Sequence, residues 1–109
     1  FASLKEKEAP TEIKSLKISA RLLTEEDINQ RQLPPDTTGV VITEIASDSP
    51  VYNHLQVNEI IVELQKTKIN NLNQLKDILK KSFSKGEKIL LFATYNNQNV
   101  RRYIGIKLN

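Results

Sequence analysis

The chain has 109 residues and a mass of 12.4 kDa, the size of one domain, and it holds no Cys, Met or Trp and one His, His54. A chain of this length buries roughly two-thirds of its unfolded surface without staples, and its inventory excludes disulfides, thiolate metal sites, Cys nucleophiles and multi-imidazole centres. The net charge of +3 and pI of about 9.2 come from 16 basic and 13 acidic residues that are interspersed, without the basic runs or stacking aromatics of a nucleic-acid surface.

Residues 1–15, FASLKEKEAPTEIKS, are charged, poorly periodic and interrupted by Pro10, and read as a linker or tail before a domain over 16–109. Residues 16–23, LKISARLL, alternate Leu16, Ile18 and Ala20 against Lys17, Ser19 and Arg21, the period of a strand. Thr24 is a helix N-cap, and Glu25, Glu26 and Asp27 suit the positive end of the helix dipole. Only Ile28 and Leu33 give that short helix an apolar face, and Pro34 and Pro35 end it. A turn over 34–39 leads to the β-branched run VVITEI at 40–45, a strand.

ASDSP at 46–50 breaks the strand, and VYNHL at 51–55 reads as one helical turn with Ser49 capping and Pro50 in the first position. Residues 56–65 carry the next strand, with Ile60, Val62 and Leu64 on one face and Ile61, Glu63 and Gln65 on the other. Residues 66–69 make a turn and a short extended piece. The clearest helix is 71–83, with Asn71 as cap, Gln74 completing a capping-box-like pair, and Leu72, Leu75, Ile78 and Leu79 in one stripe. Lysines crowd its C-terminal end and Gly86 stops it. Strands at 88–95 and 100–108 follow, joined by NNQN, where Asn96 and Asn97 tolerate left-handed dihedrals and suit a tight hairpin.

Many short strands with one long and one or two short helices predict a mainly β, α+β fold, a partly open antiparallel barrel or sandwich seamed by the long helix. No run approaches the roughly 18 apolar residues of a membrane span, and the N-terminus lacks a signal-peptide pattern. A start at Phe1 reads as a processed or excised chain. No G-x-S-x-G stands to partner His54, which reads as an exposed turn residue. Glu25, Glu26 and Asp27 are explained by the helix start without a metal, and no cofactor is expected.

The pattern SDSP...L..NEIIVEL...KINNLNQLKDIL, spanning 47–79, resembles a PDZ domain of the bacterial, permuted type. The stretch before it, LKISARLLTEEDINQRQLPPDTTGVVITEI, is similar to the opening of the second, C-terminal PDZ domain of HtrA (Do-like) periplasmic serine proteases. Intramembrane metalloproteases and C-terminal processing proteases carry related domains, but the LTEEDINQRQLP insertion speaks for the HtrA type. The family's glycines stand as Lys17, His54 and Asn58 here. Asn accepts a left-handed conformation with little cost, whereas Lys does not.

The resemblance implies a peptide groove. Ser15, Leu16, Lys17 and Ile18 would be the loop that takes a C-terminal carboxylate, and Ser19, Ala20 and Arg21 the strand edge to which the peptide adds. Leu72, Lys76 and Leu79 would line the helical wall, with Leu16, Ile18 and Leu79 around the last side chain and Lys76 favouring an acidic or polar residue further back. The same residues suit plainer roles. Leu72 and Leu79 fit core packing as well as a pocket wall, Lys17 and Lys76 fit solvated surface, and Arg21 fits a charged strand edge.

Two functions compete: binding of polypeptide segments or C-termini for a protease domain in the same parent chain, and ordering of that protease's subunits. Either places the chain in the periplasm or cell envelope as a non-catalytic module. Catalysis within the chain finds no nucleophile–base pair.

Overall fold

The computed structural model describes residues 10–107. These residues form seven strands and two helices. In chain order they are β1 (Thr11–Ile13), β2 (Ile18–Leu22), α1 (Glu25–Arg31), β3 (Val40–Ile45), β4 (Ile60–Leu64), β5 (Thr67–Lys68), α2 (Leu72–Ser84), β6 (Ile89–Tyr95) and β7 (Arg101–Lys107). All pairings are antiparallel, in the order β1-β2-β3-β4-β6-β7, with β5 a short partner of β4. The expected mainly β, antiparallel architecture with one long helix is what forms.

The sheet carries two apolar clusters, one on each face. The larger joins Ile18 and Ala20 of β2, Val40 and Ile42 of β3, Ile61 and Leu64 of β4, Leu90 and Phe92 of β6 and Ile106 of β7 with Leu75 and Leu79 of α2. The smaller joins Leu23, Leu33, Val41, Ile60, Val62 and Ala93, with Ile28 of α1 against it. Two-sided burial explains the continuous apolar runs of β3 and β4. On β4 the face assignment differs from simple alternation. The pairing with β6 slips between Ile61 and Glu63, so Leu64 joins Ile61 and not Ile60 and Val62.

The helix ends follow local chemistry. Thr24 and Asp27 form a reciprocal capping box on α1. Asn71 caps α2 through the Gln74 N–H at 2.8 Å, but the Gln74 side chain accepts from the Asn70 N–H at 2.7 Å, one residue outside a strict box. Gly86 stops α2 with φ of 72° while the Glu87 N–H closes on the Ser82 carbonyl. In the β6–β7 turn the left-handed residue is Asn99, not Asn96 or Asn97. Asn96 keeps ordinary dihedrals and uses its side chain to accept from the Gln98 and Val100 N–H groups.

The main departure lies at the N-terminal end. Thr11–Ile13, expected within a tail, form β1 and pair with Ala20, Ser19 and Ile18 of β2. Ile13 is the cause. It is 2% exposed and belongs to the larger core cluster, a burial that stabilises by roughly 2 kcal/mol. A single well-placed side chain is too little periodicity to read as a strand. Residues 1–9 of the expected tail lie outside the described residues.

Candidate functional site

The loop between β1 and β2 covers residues 14–17. Two of its N–H groups turn inward. The Leu16 N–H donates to the Ile13 carbonyl at 3.1 Å and the Lys17 N–H to the Lys14 carbonyl at 3.3 Å. Lys17 has φ of 55°, the left-handed geometry that suits glycine and costs a lysine on the order of 1 kcal/mol. Asn58 takes the same region at 76°, whereas His54 keeps a negative φ, with its N–H closing on the Val51 carbonyl.

The 46–49 turn fastens this loop from behind. The Ala46 N–H donates to the Lys17 carbonyl at 3.0 Å, and the Ser49 hydroxyl donates to the Leu16 carbonyl at 2.5 Å. Ser49 also accepts from the Val51 N–H at 3.1 Å, so the residue read only as a turn cap joins two loops. The Lys17 ammonium meets Asp48 at 2.8 Å, and that hydrogen bond holds the Asp48 carboxyl below the usual carboxylate range. The pair is solvent-exposed and stabilises little.

Of the loop and edge residues, Leu16, Ile18 and Ala20 are buried, Ser19 is half-buried opposite Glu12, and Ser15 is exposed. Arg21 is engaged elsewhere. Its guanidinium grips Asp27 with two bonds, at 2.7 and 3.0 Å. Burial would raise the Asp27 carboxyl, but the Arg21 bond and the Thr24 hydrogen bonds outweigh it and lower it to about 2. Arg21 therefore pins the far end of β2 to the start of α1.

The side of β2 away from β3 is paired with β1. The apolar grouping expected around a ligand side chain is closed as well. Leu16, Ile18 and Leu79 sit together in the core with Ile13 among them. Leu72 packs against the same cluster, half-buried. On the helical wall Lys76 alone of the expected residues lines open space.

That space is a cleft of about 590 Å3 between the β1 hairpin and the second half of α2. Glu12, Ile13, Lys14 and Ser15 form one side, and Lys76, Lys80 and Phe83 form the other. The last three stand at i, i+4 and i+7, so their common face is legible in the sequence once the position of β1 is known. Three lysines against one glutamate make the cleft electropositive. Among the described residues no cluster of His, Asp and Glu suits a metal ion, and no helix is long and apolar enough to cross a membrane.

Glu59 stands where the resembled family has an Asp after Gly, and it is fully buried. One of its oxygens accepts from the Gln56 N–H at 3.0 Å and the other from the Thr94 hydroxyl at 2.6 Å. It fastens the loop before β4 to β6 and faces no cleft described above.

No family model matches the sequence, and no curated protein matches it. Among solved structures, the chain is similar to a crystal structure of the HtrA3 PDZ domain bound to a phage-derived ligand, FGRWV. The TM-score is 0.64 at 19% identity, over 93% of this chain and 86% of that one. The fold is that of a PDZ domain.

Proposed function

We propose that the chain is a non-catalytic peptide-binding PDZ domain, taking extended polypeptide segments or C-termini beside α2. We further propose that it works as the second PDZ domain of an HtrA/Do-like serine endoprotease in the bacterial periplasm, in contact with the other domains and subunits of that protease. The observation that carries the reading is residue 17. A lysine accepts a left-handed conformation at the position where the resembled family's carboxylate-binding loop has glycine, and that backbone, held at a cost in strain, supports the reading. The fold and the peptide held by the similar HtrA3 domain support the same reading. So does the electropositive cleft, which suits a chain terminus or an acidic side chain.

The assembly reading has its own support. The β2 edge is already paired, and the Leu16 and Lys17 N–H groups are already bonded to the Ile13 and Lys14 carbonyls. One titration separates the two. Saturable binding of a short peptide with an apolar last residue and a free carboxylate is expected at tens to hundreds of micromolar, a ΔG of roughly −5 to −6 kcal/mol. Silence up to about 1 mM, together with restored oligomerisation when the domain is returned to its parent protein, would replace peptide capture with assembly.

A further inference from the structure

We infer that β1 is a resident stand-in for the ligand, and that its sequence, Thr11-Glu12-Ile13, spells the peptide chemistry the groove accepts. The inference rests on the peptide-binding reading and adds regulation and specificity to it.

Four features of β1 are those of a bound peptide. It lies antiparallel to β2 on the side where a peptide strand would add. It runs toward the loop and ends on it. The carbonyl of its last residue, Ile13, takes the Leu16 N–H at 3.1 Å, the bond a terminal carboxylate would claim. The Ile13 side chain is 2% exposed in one cluster with Leu16, Ile18 and Leu79. One residue earlier, Glu12 lines the cleft that Lys76 and Lys80 also line.

A free peptide and β1 therefore compete for one edge. Binding requires the three-residue strand to leave, which lowers the apparent affinity by the fraction of time β1 is away. The ligand class follows from the occupant: a C-terminal, β-branched apolar residue preceded by an acidic one.

The chain has no Cys, so a lock can be built cleanly. Glu12 and Ser19 are directly opposite across β1 and β2, a spacing within reach of a disulfide. The test uses the full chain carrying Glu12→Cys with Ser19→Cys, and a synthetic Ala-Pro-Thr-Glu-Ile peptide with a free carboxylate. The reduced protein should bind the peptide, and oxidation should weaken binding by roughly tenfold or more. Equal binding by both forms overturns the inference while leaving peptide binding intact. No binding by the reduced form or by the unaltered chain removes the peptide-binding reading itself, and the inference with it. Two further arms keep the test sharp. Ile13→Ala, confirmed folded by circular dichroism, should tighten binding by roughly threefold or more, and unchanged or weaker binding overturns displacement. An Ala-Pro-Thr-Lys-Ile peptide should bind roughly threefold more weakly, and equal binding overturns the acidic preference.

Discussion

The two outer strands of the sheet are held in different ways. β7 pairs with β6 along seven positions, from Arg101 opposite Tyr95 to Lys107 opposite Ile89. It sets Ile106 fully into the core and packs Ile104 against it. β1 pairs with β2 at three positions and buries Ile13 alone. β7 is also guarded on its exposed face, where Arg101 lies 5.9 Å from the Tyr95 ring and 5.5 Å from the Tyr103 ring. Charge on a long edge strand deters pairing with another chain. β1 has no such length, and it faces the helix across an open cleft. A strand with few bonds and one anchor can open by itself, while a strand tied along its whole length opens only with the domain.

The largest expected effect tests that contrast directly. Ile106→Ala should lower the global unfolding free energy by about 3 kcal/mol in urea titration. Ile13→Ala should cost clearly less in the same experiment, about 1 kcal/mol, because β1 can detach before the domain unfolds. Equal losses would make β1 an integral strand and break the comparison.

A smaller effect locates where the looseness stops. Arg21 and Asp27 pin β2 to α1, so opening should end at β2. The Asp27 carboxyl is depressed to about 2, against roughly 3.9 in an unfolded chain. Its contribution is therefore present in full above about pH 4 and is lost as pH falls through about 2. With its partial exposure to solvent, the loss should be about 1 kcal/mol. Stability measured between pH 5 and 2 should show this slope, and Asp27→Asn should flatten it. An unchanged slope in Asp27→Asn would place the acid sensitivity elsewhere.

The smallest effect concerns the loop itself. Lys17→Gly removes a left-handed lysine and its exposed contact with Asp48. Strain relief of about 1 kcal/mol is partly offset by the greater chain entropy of glycine. Thermal unfolding should shift upward by a few tenths to about 1 kcal/mol in equivalent stability. A downward shift would mean that the Asp48 contact outweighs the backbone strain.

Much of the scaffold was legible because its signals are local. The β-branched run 40–45 is β3 to the residue, and the stripe at 71–83 is α2 displaced by one. Thr24 and Asn71 are caps because their side chains reach N–H groups three residues on. Asn58 is left-handed at a position where the resembled family has glycine. The candidate site was harder to read. Leu72, Lys76 and Leu79 share a helix, yet only Lys76 faces the cleft, since core packing claims Leu79 and most of Leu72. Lys80 and Phe83, a turn further on, replace them because β1 crosses near the end of α2.

The sequence by itself determined the class of fold, the helix caps and the strand at 40–45, and it marked residue 17 as a lysine where the resembled family has glycine. Each depends on the chemistry of a few neighbouring residues. Tertiary structure alone decided which strand occupies the edge of β2, which face Leu64 joins, and that Ser49 holds the loop. Those outcomes depend on partners 5 to 33 residues away, Ile18 for Ile13 and Leu16 for Ser49 among them. A strand edge offers its hydrogen bonds to whichever extended segment reaches it with an anchor that fits. Here the nearest such segment is the chain's own, and Ile13 fits.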